Sequence, residues 1–126
     1  MINALFAQPG YETAKKMLDV TALRHEAIAS NIGNLSTPGY KRIDLAPSFE
    51  TELKQALTSG DNAQLQSLNP SLAVDSTAVS QTQDGNTVVM EDELVAMNQN
   101  TLTHALETQL VTGEMMKLRM AITGRA

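Results

Sequence analysis

Between Ala29 and Arg42 the chain reads Ala-Ser-Asn-Ile-Gly-Asn-Leu-Ser-Thr-Pro-Gly-Tyr-Lys-Arg, a corner that separates a helical start from a polar middle. Thr37 precedes Pro38, whose ring clashes with a preceding residue in α conformation, so a helix ends there. Pro38 and Gly39 suit the two central positions of a type II turn, where proline presets φ and glycine accepts a positive one. Tyr40 follows as a large amphipathic anchor for the emerging chain.

Upstream of the corner, residues 2–8 are short and mostly apolar, and Pro9-Gly10 punctuates them. The spacing then predicts a helix from Tyr11 to Leu35. Ala14, Met17, Leu18, Thr21, His25, Ile28, Ala29 and Ile32 share one face, while Val20, Leu23, Ala27 and Leu35 form a second apolar sector. Downstream, Glu91 to Thr123 contains no proline and predicts a helix of about 50 Å at 1.5 Å per residue. Its acidic start (Glu91, Asp92, Glu93) and the basic residues near its end (Lys117, Arg119, Arg125) both suit the helix macrodipole. One seam holds Val95, Asn98, Leu102, Ala105, Gln109, Gly113, Met116 and Met120. A second, roughly opposite, holds Met97, His104, Val111, Met115, Leu118 and Ile122. Residues 97, 104, 111 and 118 recur at the interval of a coiled coil.

A helix packed on one core carries one apolar stripe; two stripes on each helix predict neighbours on more than one side. Gly113 costs about 1 kcal/mol relative to alanine in a helix interior, which close approach of another backbone would explain. The predicted fold class is mainly α. Two long terminal helices pack as an antiparallel coiled-coil-like hairpin, and an irregular middle holds a short helix and short extended pieces. The segments 1–35, 36–90 and 91–126 together make one domain. Residues expected at subunit packing are Met17, Leu18, Leu23, Ile28, Val95, Met97, Leu102, Val111, Gly113, Met116, Leu118 and Ile122.

The middle carries six acidic and three basic residues and is broken by Pro47, Gly60, Pro70 and Gly85. Phe49 to Leu57 has a short amphipathic helical pattern with Phe49, Leu53, Ala56 and Leu57 on one side. After Gly60 the composition turns polar, Leu72 to Val79 reads as a short strand, Asp84-Gly85-Asn86 is a turn signal, and Thr87 to Met90 reads as extended. A connection this long in a compact domain implies a job or a partner for it.

At 126 residues the chain is at most one ordinary domain, and its net charge of -5 argues against a nucleic-acid partner. Aromatics are only 3%, so a core must be built from aliphatic residues and methionines. These lie mostly in the two end segments, which predicts weak stability for the chain alone. Cysteine is absent, which removes disulfides and thiolate chemistry. No apolar run approaches a membrane span, and the N-terminus lacks the pattern of a secretory signal. The expectation is a cytoplasmic chain, or one exported without removal of such a signal.

Chemistry has no visible carrier. His25 and His104 are isolated within apolar faces, which fits packing or interface histidines better than metal ligands. Glu91-Asp92-Glu93 reads as a charged first helical turn rather than a cation site. Asn31, Asn34, Asn98 and Asn100 are candidates for amide networks between helices, with Asn34 equally suited to satisfying its own helix end. Asp84-Gly85-Asn86 lacks the spacing of a calcium loop, and no phosphate loop or nucleophile elbow is present. No catalytic residue, cofactor site or metal site is predicted, and no enzyme activity.

Asn31, Ile32, Asn34, Thr37, Pro38, Gly39, Tyr40 and Lys41 match the Asn-Ile-Ala-Asn-x-x-Thr-Pro-Gly-Tyr-Lys signature, with Gly33 in place of its common alanine. In this the chain resembles the bacterial flagellar rod, hook and hook-associated proteins. Its shortness, Asp84-Gly85-Asn86-Thr87-Val88, and the run Glu93 to Asn100 before a C-terminal helix resemble a short proximal rod subunit; a FlgC-type subunit remains an alternative. The likeness covers both ends well and the middle poorly. It implies export through the flagellar type III apparatus without a cleaved signal, and polymerisation into the periplasmic rod of the basal body. Implied partners are further copies of the chain, other rod proteins (FlgC, FlgF, FlgG), the adaptor FliE, the membrane ring protein FliF and the export gate. A soluble helical adaptor or export chaperone is the competing class: a monomer or closed dimer with ordered helices when alone, where a rod subunit orders its termini only on assembly.

Overall fold

The structure, a computed structural model, describes residues 9–124. The apolar segment 2–8 and Arg125 lie outside the described residues. Helix α1 spans Pro9–Gly33. Proline suits a first helical position because its missing N–H would have no partner there, so Pro9-Gly10 belongs to the helix instead of preceding it. The helix also ends two residues before the expected Leu35. The Asn34 side-chain amide donates to the Ser30 carbonyl at 2.8 Å, and the Leu35 N–H donates to Ile32 in a tightened last turn. The corner then forms with the Tyr40 N–H on the Thr37 carbonyl at 3.2 Å and Gly39 at φ 72°, the geometry of a type II turn.

Strand β1 (Ile43–Leu45) pairs antiparallel with β2 (Leu72–Val74), Ile43 opposite Val74 and Leu45 opposite Leu72. Between them lie α2 (Pro47–Ser59) and α3 (Asn62–Ser67). Helix α2 buries Phe49, Leu53 and Ala56. Leu57, expected on the same side, stands outside the contact and is exposed. Helix α3 falls in the polar run, where no element was expected; Asp61 starts it by accepting hydrogen bonds from the N–H groups of Ala63 and Gln64. The strand expected over 72–79 stops at Val74, because Asp75 turns to bind Thr77 and Arg42. Thr87 to Val89 pairs in no strand.

Helix α4 (Met90–Thr123) runs back along α1. Glu93 meets Asn31, Glu107 meets Thr21, and Glu114 lies beside Gly10. The two helices are therefore antiparallel, and the fold is the mainly helical hairpin expected. The apolar cluster, however, is not between them. Phe49, Leu53, Ala56, Leu65 and Leu68 close on Val20, with Met17 and Leu45 against them. The middle segment supplies most of this core, contrary to the expectation that the ends would. Lys16 is tied across it, its ammonium donating to the Leu68 carbonyl at 2.6 Å.

Candidate functional site

The residues of the Asn-to-Lys signature form a latch at the closed end of the hairpin. Asn31 is fully buried at the end of α1. Its carbonyl oxygen accepts from the Ile43 N–H and its amide donates to the Ile43 carbonyl, both at 2.9 Å, so one side chain docks β1 as a strand partner would. The same amide reaches Glu93 Oε2 at 3.2 Å. Tyr40 Oη lies 3.0 Å from Ser30 Oγ and donates to Asn31 Oδ1 at 3.4 Å, pinning the corner onto α1.

The second half of the latch is the segment Asp84 to Val88. Gly39 N–H donates to the Asp84 carbonyl and Lys41 Nζ to the Gly85 carbonyl, each at 2.8 Å. Buried Asn86 points its amide at the carbonyls of Asn34, Leu35 and Thr37, at 2.9, 3.0 and 2.8 Å, where α1 gives way to the corner. Its Oδ1 accepts from the Val88 N–H at 2.8 Å. Thr87 N–H donates to the Tyr40 carbonyl and Thr87 Oγ1 accepts from the Arg42 N–H. Arg42 then donates to Glu93 Oε1 at 2.8 Å and to Asp75. Burial works against the guanidinium's charge, but Glu93 and Asp75 outweigh it and hold Arg42 protonated more firmly than usual. Asp75 is held below the usual carboxylate range, first by the Thr77 hydroxyl.

Beyond the latch the helix seam turns polar. Glu93, Asn100 and Glu107 follow one another at seven-residue steps on α4, and all are buried. The Thr21 hydroxyl lies 3.0 Å from Glu107 Oε2 and 3.1 Å from His104 Nδ1, and Asn100 donates to the Thr21 carbonyl at 2.9 Å. Asn100 Oδ1 and Glu107 Oε1 are buried without a hydrogen-bond partner. A cavity of about 390 Å³ opens there, lined by Thr21, Ala22, His25, Asn100, Thr101 and His104. Both histidines are thus beside a polar layer, not in an apolar packing face. Asn98 is exposed and joins no network, whereas Asn34 satisfies its own helix.

Burial pushes the Glu107 carboxyl up, against the lowering pull of Thr21, His104 and Arg24. A carboxyl that holds its proton more tightly when folded adds stability below the unfolded value and loses it as pH rises through the folded value. Glu107→Gln keeps an acceptor for Thr21 and removes the charge. It is expected to raise the urea midpoint at neutral pH, with the advantage shrinking as pH falls into the carboxylate range. An advantage independent of pH would show that the buried charge is not its source.

The outer face of α4 is apolar and uncovered. Val95, Leu102, Leu106, Leu110, Met116 and Met120 are between 45% and 68% exposed, and a Cβ added at Gly113 would meet open space. Val95, Leu102, Gly113, Met116 and Met120 belong to the first of the two expected seams, whereas Leu106 and Leu110, which widen the stripe, belong to neither. Of the second, Met97 and Val111 are half-buried and Leu118 is buried, while His104, Met115 and Ile122 are exposed. On α1, Met17, Leu18 and Leu23 are half-buried. Ile28 and Leu118, expected at subunit packing, are buried within the chain itself. Among the described residues no three His, Asp or Glu side chains converge as a metal site requires, and no described helix is long and apolar enough to cross a membrane.

The chain is thus a helical hairpin latched at one end, with large apolar side chains turned outward along its longer helix. The chain is similar to the flagellar basal body rod protein FlgB of Borrelia hermsii, 29% identical over 117 residues that cover 79% of this chain and 84% of that protein. Similarity to FlgB of Escherichia coli is 28% over 116 residues (79% and 83%) and to FlgB of Salmonella typhimurium 29% over 126 residues (87% and 90%). No family model matches the chain. These relatives support a flagellar basal body rod protein of the FlgB type.

Proposed function

We propose that the chain is a structural subunit of the proximal rod, joining other copies and other rod proteins in the helical shaft that transmits torque from motor to hook. The observation that carries this reading is the uncovered apolar stripe from Val95 to Met120. A stripe of that length on a monomer marks an interaction surface, and repeated contacts that do not close on themselves generate a helical filament. In this reading the chain leaves the cell through the type III apparatus without a cleaved signal. Its neighbours are FlgC-type and distal rod subunits, FliE, and the ring and gate at the rod base.

Deletion is expected to abolish rods and motility, with restoration by the intact chain. Gly113→Leu separates folding from assembly. Leucine gains about 1 kcal/mol of helix propensity over glycine, so the isolated variant is expected to be at least as helical by circular dichroism. Added bulk on the outer stripe is expected to block rods through overpacking, with secretion measured separately. Normal rods from Gly113→Leu would show that nothing packs closely there. Normal rods in the deletion strain, with a closed dimer in solution, would instead support an adaptor.

A further inference from the structure

The uncovered face of α1 complements that of α4. At helical spacing it presents Lys15, Asp19, Ala22, Glu26, Ala29 and Gly33, all exposed: beyond Lys15, which sits over the Tyr11 ring, two acidic residues alternate with small ones that leave a shallow groove. The stripe on α4 is a ridge of large side chains interrupted at Gly113, with exposed Lys117 on the same side. Among the described residues, exposed Lys117 pairs with half-buried Glu114 at 3.0 Å, a weak tie that another carboxylate can share.

Resting on the rod reading, we infer that the C-terminal half of the α4 stripe docks in the α1 groove of a second copy of this chain, with Lys117 on Glu26 and Gly113 against Ala29. Copies of equal polarity set α4 of one antiparallel to α1 of the next, as within the hairpin. Side by side at the same level, Glu26 would face the α4 region near Asn98, because Asn31 and Glu93 are level within the chain. Bringing Lys117 to Glu26 displaces the neighbour along the axis by about five helical turns, roughly 27 Å. In that register Leu110 lies over Gly33, and Met116 and Met120 flank the Ala22 to Ala29 groove. The contact joins two different surfaces and does not close, so it propagates.

The test is charge reversal in cells that carry the full-length chain. Glu26→Lys and Lys117→Glu are each expected to reduce rod assembly several-fold, and the double reversal to restore it. Because the chain has no cysteine, Ala29→Cys in one copy and Gly113→Cys in another provide a second readout that needs no charge change. Oxidation of assembled rods is expected to give a cross-linked dimer only when both cysteines are present. Unaffected single reversals, or no cross-link in rods that contain both variants, overturns the docking while leaving the rod reading intact. Rods that form without the chain overturn the rod reading itself.

Discussion

Arg42→Ala is expected to lower the stability of the isolated chain by about 3–5 kcal/mol, the range for removing one member of a buried ion pair. Glu93 is 1% exposed and keeps Arg42 as its ion-pair partner, at 2.8 Å. Without Arg42, among the described residues the Asn31 amide alone still addresses that carboxylate. Asp75 and Asp44, which also face the guanidinium at 2.5 and 3.5 Å, would be left as neighbouring like charges. A loss of this size rivals the whole stability of a small domain. Urea unfolding followed by circular dichroism reads the effect directly. Adding Glu93→Gln to Arg42→Ala is expected to recover part of it, since the uncompensated charge is then gone. A midpoint unchanged in Arg42→Ala would mean that the carboxylates are satisfied by other means and that Arg42 does not close the latch.

Asn86→Ala is expected to cost about 2–4 kcal/mol, on the basis of about 1 kcal/mol for each hydrogen bond lost and further cost for buried groups left bare. Its amide serves the end of α1 at Asn34, Leu35 and Thr37, and its oxygen serves the buried Val88 N–H. Asn86→Asp makes the donor role visible. The Val88 bond survives in that variant, but a carboxylate oxygen then faces three carbonyls, so the loss is expected to be at least as large as for alanine. Hydrogen exchange at Thr37 to Arg42 is expected to rise in both. Asn86→Asp with unchanged stability would assign the side chain only to its own turn.

Asn86 and Glu93 mark the limit of what local sequence specifies in this chain. The two long helices were legible because periodicity survives over many turns, and the corner was legible because proline and glycine restrict backbone angles locally. Gly39 carries that restriction as a positive φ. Locally, Asn86 signals only a turn, and Glu93 only one of three charges in a helical first turn. What makes them central is the approach of segments some fifty residues apart, which no local pattern encodes. The segments 29–42 and 84–88 each looked distinctive alone, and the structure shows them hydrogen-bonded to one another. Helix α3 leaves no periodic signal because six residues hold less than two turns and its start signal, Asp61, stands in a run of polar residues. The double seams were visible, but spacing alone does not tell which stripe faces the partner helix. The inner one proved to be the one interrupted by Asn100 and Glu107.

That inversion has an experimental consequence. On α4 the buried Glu93, Asn100 and Glu107 face inward while Leu102, Leu106 and Leu110 face out, so a melting curve on the free chain does not sample the outer stripe. Changes at Leu102, Leu106 or Leu110 alter side chains already in water in the free chain and leave folding little affected. A mutational survey scored by thermal denaturation or by soluble yield would therefore record this stripe as tolerant, and polar replacements there would even look like improvements. On the rod reading proposed above, the same positions scored by swimming would rank among the most sensitive. Stability and fitness maps of this helix are expected to be nearly complementary, one bright where the other is dark.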